Sequence, residues 1–243
     1  METEGLQERS IMPQIHQSGK DARLALTWLL WADNDYIAAR SLLLENLLIQ
    51  GAALSNTAVE KYLKTLHALQ SLPTPRSHDV SALYENLKHA GMNLGLNAQY
   101  LAILVKAYRL RYPDDLEVGF NIVLAQTKML VELDATVHRI RKGFALEKGG
   151  KLVVRRLDSS LETKDQKLTD RNCYFGHPRN DRARIFQEDC GCHEIRVIDD
   201  YVVLEATYST NGIPDDGVFD REGLTPKTGP GSDRLHPSGT TAV

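Results

Sequence analysis

All three cysteines of the chain, Cys173, Cys190 and Cys192, fall in one short stretch, with His177 and His193 among them. Sulfur and imidazole nitrogen are the donors zinc prefers in a tetrahedral shell, so Cys173, His177, Cys190 and Cys192 form a candidate zinc set. Gly191 permits the tight turn that would aim the last two sulfurs at one ion. The single residue between Cys190 and Cys192 is tighter than the usual spacing of about two to four. Two other readings of these residues stay open, buried free thiols and a redox pair. A zinc ion there would hold together a β element too small to fold alone. Arg179, Arg182 and Arg184 would then lie beside it as a nucleic-acid contact.

A second group of chemistry-bearing residues is Glu60, Lys61 and Lys64. On a helix Glu60 and Lys64 are one turn apart and can pair with each other; the alternative is that Lys61 and Lys64 contact phosphate. Arg111, Tyr112 and Asp114 make a third group with a similar double reading. They can end a helix and pack between helices, or Arg111 can hold a phosphate through two parallel hydrogen bonds, which lysine cannot do. His67 and His89 read as packing or surface residues.

Helices must position most of these groups. Leu24, Trp28, Trp31, Asp35, Ala38 and Leu42 recur at steps of four and three, as residues along one side of a helix do. Asp35 in that file reads as bonded locally or at the edge of the stripe, because a buried carboxylate needs a partner. A second helix is predicted from about Leu48 to Leu69, ended by Pro73 and Pro75. A third opens at Ser77 or Asp79 as cap and runs through Leu83 and Leu87. A fourth runs from about Asn97 to Tyr108, with Arg109 and Arg111 near its end. The last and longest is predicted over Leu116 to Lys142. Beyond Gly143, Lys151 to Arg155 reads as a strand, and Glu194 to Ile198 with Tyr201 to Tyr208 reads as a hairpin.

Composition narrows the function classes. The 243 residues are 42% hydrophobic and 25% charged, enough for a sizeable core, and the net charge of −3 argues against a basic coat for nucleic acid. Charge is nonetheless uneven: residues 151–184 are basic and 185–243 acidic, blocks that usually mean a solvated surface. The longest apolar stretch, Leu24 to Ala32, is far too short to span a bilayer. The opening residues carry no leader pattern, so a cytoplasmic protein without a membrane segment is expected. Residues from Ser209 onward hold six Gly and four Pro among polar side chains, which predicts a disordered tail. P-loop, dinucleotide, HExxH and GxSxG signatures are absent, which removes the corresponding enzyme classes.

Four pieces appear in order along the helical part: Ala32, Asp35, Ala39 and Leu42; then Ala58-Val59-Glu60-Lys61-Tyr62-Leu63-Lys64; then Ser77-His78-Asp79-Val80; then Tyr108-Arg109-Leu110-Arg111-Tyr112-Pro113-Asp114. Together they resemble the HEPN domain family over about residues 23–145. The resemblance implies an antiparallel bundle of four to five helices, a homodimer, and involvement with nucleotides or RNA. It also implies a partner such as a nucleotidyltransferase in a toxin-antitoxin or defence-type system. Many members cleave RNA without metal, through an Arg followed a few residues on by a His near the last long helix. Here His138 precedes Arg139 and Arg141 instead.

The resulting expectation is a mainly α protein. Residues 1–22 form an N-terminal segment, 23–145 the bundle, 146–208 a small β-hairpin-containing extension with the Cys/His cluster, and 209–243 the tail. Its function reads as a nucleotide- or RNA-binding module using Glu60, Lys61, Lys64, Arg111 and Tyr112. A ribonuclease with an atypical or partner-completed site and a pure protein-interaction module are the alternatives.

Overall fold

The computed structural model describes residues 19–144, 147–148, 151–152, 155–175, 181–199 and 203–213. Two long helices, α1 (Gly19–Leu44) and α2 (Leu48–Leu69), pack as a hairpin across a turn in which Asn46 adopts a left-handed backbone conformation, φ 59°. Gly51 lets them close, because a Cβ there would lie 2.7 Å from Cδ2 of Leu43. The buried file of α1 is Ala25, Leu29, Ala32, Tyr36, Ala39 and Leu43. This is one residue along from the file predicted by spacing, and Trp31 and Ala38 of the predicted file are exposed. Both files keep the same period, so periodicity fixes the face only to within a residue. Small alanines occupy the seam, and the two indoles are displaced to its flank.

The next helices follow the sequence closely. α3 (Val80–His89) is capped by Asp79, whose carboxylate accepts from the Ala82 amide at 2.9 Å. α4 (Ala98–Tyr108) is capped by Asn97 and runs into two 3-10 turns, Arg109–Arg111 and Pro113–Asp115.

The predicted single helix over Leu116 to Lys142 is corrected: Asn121–Ala125 is a strand, β1, and only Gln126–Lys142 is helical, α5. Ile122, Val123, Leu124 and Ala125 are all buried, so the run lacks a solvent face. A run of that kind fits a covered strand as well as a helix. Gly119, at φ 90°, turns the chain into the strand, and its amide donates to the Val197 carbonyl at 2.8 Å.

The strand partner lies seventy residues on in sequence. After the short pair β2 (Glu147–Lys148) and β3 (Lys151–Leu152) come α6 (Arg156–Glu162), α7 (Gln166–Thr169) and α8 (Asp181–Gln187), then β4 (Asp189–Val197) and β5 (Val203–Asn211). The sheet order is β1-β4-β5, antiparallel throughout, with Ala125 opposite Cys192 and Cys192 opposite Tyr208. The hairpin is present with longer arms than predicted, and Ser209 to Asn211, expected to open the tail, close β5. Residues 214–243 lie outside the described residues. Among the described residues no helix is long and apolar enough to cross a membrane.

One core joins the bundle to the later elements, since Leu157, Leu168, Ile195 and Val197 belong to the same buried cluster as Leu29, Tyr62 and Leu104. Two buried ionic networks reinforce the join. Arg40 grips Asp134 through Nε at 2.8 Å and Nη2 at 3.1 Å, and also donates to the carbonyls of Lys167 and Asp170. The Tyr36 hydroxyl donates to the same Asp134 carboxylate at 2.7 Å. Asp33 accepts from Tyr62 at 2.6 Å and from Arg141 at 2.9 Å, while Arg141 also reaches Asp158 at the start of α6.

Candidate functional site

Displacing the tryptophans to the flank of α1 places them against the polar edge of α2. Trp28 and Trp31 meet edge to face, with centroids 5.8 Å apart. The Lys61 ammonium lies 5.7 Å from the Trp31 ring and 2.5 Å from the Asp35 carboxylate. Asp35 is therefore paired across helices rather than bonded locally. One turn along, the Lys64 ammonium lies 5.4 Å from the Trp28 ring and 2.5 Å from Glu60 Oε1. The indole N–H of Trp28 is buried without a hydrogen-bond partner among the described residues, which leaves a donor beside Lys64.

Glu60 continues the row. Its second oxygen meets Nδ1 of His78 at 2.9 Å, and Asn56 donates to the His78 carbonyl, fixing the segment ahead of α3. The His78 ring is stacked on Tyr108, 4.8 Å between centroids and 23° between planes. Arg111 lies over the same Tyr108 ring at 4.9 Å and 5.6 Å from Tyr112. Burial pushes the Tyr108 hydroxyl up against the opposing pull of Arg111, so it stays a neutral donor.

The five predicted binding residues are thus drawn into one line across three helices: Trp31, Lys61, Trp28, Lys64, Glu60, His78, Tyr108, Arg111, Tyr112. Glu60 and Lys64 do pair, and Glu60 also bridges to His78. The ends of the line are open to solvent, with Trp31 52% and Tyr112 50% exposed. Spacing on single helices omitted Trp28, Trp31, His78 and Tyr108. The signal that could have found Tyr108 was its place beside Arg109 in the last ordered piece, whereas Trp28 and Trp31 precede the first piece.

Rings interleaved with cations suit one class of ligand. Cations attract phosphate, and aromatic faces stack bases. By contrast, Arg141 and His138 of α5 are engaged in structure. Arg141 is held between Asp33 and Asp158, and His138 packs near the rings of Tyr174 and Phe175.

Residues 25–133 match the HEPN domain family. They form a HEPN domain. The matched stretch contains the whole line from Trp28 to Tyr112, and it ends inside α5, short of Arg141. No curated protein and no solved structure matches the chain.

Outside the HEPN domain, the four candidate zinc ligands are divided. Cys190 and Cys192 share one side of β4 and pack with Ala125, whereas Cys173 belongs to another apolar cluster with Val131, Ile185 and Phe186. His177 lies outside the described residues. Among the described residues no group of three or more His, Cys, Asp or Glu is arranged to hold a metal. The Cys190 sulfur instead faces the start of α5. A hydrogen bond from Cys192 outweighs burial and, with the hydroxyl and amide of Thr127 and the charge of Arg171, brings its thiol down to about 6.

Proposed function

We propose that this HEPN domain is a nucleotide- or RNA-binding module. Phosphate is held by Lys61, Lys64 and Arg111, and base rings stack on the exposed Trp31 and Tyr112. The observation that carries this reading is the continuous chain of contacts among rings and charges from Trp31 to Tyr112. The carboxylates set its selectivity. Asp35 and Glu60 hold the ammonium groups in place while the site is empty, and an incoming phosphate competes for the same N–H donors. Arg111, placed on ring faces, is kept without a carboxylate contact of its own that would compete as strongly. The family resemblance supports a homodimer acting with a nucleotidyltransferase-like partner in a toxin-antitoxin or defence-type system.

Titration of the full chain with a nucleoside triphosphate and with a short single-stranded RNA tests the reading. Affinity for one of them should fall at least about tenfold, or 1.4 kcal/mol, in the Lys61→Ala/Lys64→Ala double variant. Unchanged affinity in a folded double variant would remove these lysines from the site. A native mass spectrum of the untreated protein reports both a dimer and any retained nucleotide.

One observation favours a second reading, metal-independent RNA cleavage. The His78 imidazole is solvent-facing and oriented by a buried carboxylate, the arrangement a general acid or base requires. Cleavage by the pure protein in chelator, abolished by His78→Ala but not by substitutions at His138, would establish it.

A further inference from the structure

The three-stranded sheet has two unlike edges. β1 is covered, with Ile122 and Leu124 fully buried, whereas β5 lies in the open, Val203 exposed by 60% and Leu204 by 42%. The direction of the backbone groups on β5 follows from its neighbours. The Val197 amide donates to the Phe120 carbonyl and the Val197 carbonyl accepts from Gly119, so both backbone groups of Val197 face β1 and not β5. At the other end of the hairpin the Gly212 amide donates to the Glu188 carbonyl at 3.3 Å. Between these points the pairing runs without a bulge, from Asp189 opposite Asn211 to Val197 opposite Val203. Hydrogen-bonded and non-hydrogen-bonded pairs alternate along such a ladder. Leu204, Ala206, Tyr208 and Thr210 therefore bond to β4, and the amides and carbonyls of Val203, Glu205, Thr207, Ser209 and Asn211 point to the open side.

No side chain of β5 guards that side. Edge strands are ordinarily protected by lysine, proline, a bulge or a covering element. β5 is nine residues long, contains no Lys, Arg or Pro, and carries one charge, Glu205. That carboxylate is drawn back over β4, with Oε1 2.9 Å from Nε2 of His193.

The strand is also matched to itself. Thr207 is its middle residue and one of those whose backbone groups point outward. A two-fold axis through Thr207 sets Thr207 opposite Thr207 of a second copy, Glu205 opposite Ser209, and Val203 opposite Asn211. Every outward residue then meets an outward residue, as an antiparallel ladder requires. Each Glu205 faces a serine and not the other carboxylate, and the two facing threonines can hydrogen-bond. An axis anywhere else on the strand leaves part of its edge unpaired.

We infer that two copies of this chain associate edge to edge through β5, antiparallel with Thr207 on the axis, to make one sheet in the order β1-β4-β5-β5-β4-β1. The inference gives a surface to the homodimer proposed above and so rests on that part of the reading. It does not involve the ligand line from Trp31 to Tyr112.

Sedimentation velocity of the full chain at rising concentration, beside two Thr207 variants, tests it. The unaltered chain should pass from monomer to dimer. Thr207→Pro removes an amide that points away from β4, so the sheet within each chain is kept, and it should weaken association at least about tenfold. Thr207→Lys sets two ammonium groups opposite each other on the axis and should weaken it by about as much. Cysteine substitution reads the register. Facing Cα atoms of a hydrogen-bonded pair lie about 5.5 Å apart, inside the roughly 4.4–6.8 Å that a disulfide spans, so Thr207→Cys should yield a covalent dimer on oxidation. Ser209→Cys should not, because its counterpart lies four residues, about 14 Å, along the strand. A monomer at every concentration would overturn the strand interface and the homodimer together. A dimer that survives both Thr207→Pro and Thr207→Lys, or that links as readily through Ser209→Cys, would keep the homodimer and overturn the β5 interface. If neither of the first two variants folds, the preference of the cross-link for position 207 decides the question alone.

Discussion

Arg40 and Arg111 are both arginines near aromatic rings, and they are held in opposite ways. Arg40 is fully buried and makes four hydrogen bonds: both Asp134 oxygens and two carbonyls accept from it, and the partners come from α5 and from the α7 segment. Arg111 is exposed and rests on the faces of Tyr108 and Tyr112, and no ion pair to a carboxylate holds it among the described residues. A buried guanidinium held by four hydrogen bonds is a fastener, since any ligand would have to break bonds worth as much as those it makes. A guanidinium supported from behind by rings is oriented yet uncommitted, which is what recognition of an anion requires. Lys61 and Lys64 fall between these cases, each paired with one carboxylate and one ring.

Stability measurements give the harshest test of this contrast. Arg40→Ala strands the buried Asp134 charge, so denaturant unfolding should show a loss of about 3–5 kcal/mol. Arg111→Ala should cost less than about 1 kcal/mol. Similar losses from the two would erase the distinction. Affinity should show the reverse order. Arg40 touches nothing in the line from Trp31 to Tyr112, whereas Arg111→Ala should weaken nucleotide or RNA binding by about 1.5–3 kcal/mol, and Arg111→Lys should recover only part of that.

The rings and the cations can be separated next. Trp31→Ala should lose about 1–3 kcal/mol for ligands that carry a base, and next to nothing for inorganic pyrophosphate. A loss equal for both would mean that Trp31 only shapes the Lys61 site. Salt gives a smaller effect. Three phosphate-binding cations on a single strand predict a slope of log K on log salt near about −2, reduced in magnitude by about 0.7 in Arg111→Ala. An unchanged slope would mean that Arg111 contacts the ligand without displacing a counterion.

How much of this the chain itself revealed depends on the range of the interactions. Helices α2 to α4 were readable because capping and period are local, and the four ordered pieces contain the residues proposed to bind. The exact face of α1 was not readable, because choosing between two files of equal period depends on how closely α2 approaches, and that rests on Gly51. β1 escaped for a related reason: its apolar run fits either period, and its partner lies some seventy residues later. The helices α6 to α8, of four to seven residues, are too short to show periodicity at all. Of the candidate site, Glu60, Lys61 and Lys64 on α2 and Arg111 and Tyr112 beyond α4 were named from the sequence. The rings from neighbouring helices came into view only when the packing set them against Lys61, Lys64 and Glu60.

The Cys190 thiol is a third case, buried like Arg40 yet shifted towards its anionic form. It sharpens the contrast because the Cys192 thiol and the Thr127 amide, rather than a paired counter-ion, favour its anionic form. Held near 6 in the folded chain, against the ordinary value of 9.0, the thiol is lowered on folding. The unfolded chain therefore binds more protons between these limits, so stability rises as pH increases from about 6 towards 9 and is lost as pH falls back through about 6. Cys190→Ala should flatten that rise, while Cys173→Ala should leave it intact. Alkylation gives an independent reading, with a midpoint near 6 for Cys190 in the native protein. A midpoint near that of a free thiol would mean that Thr127 caps a neutral sulfur, and the site would then belong with Arg40 among the fasteners.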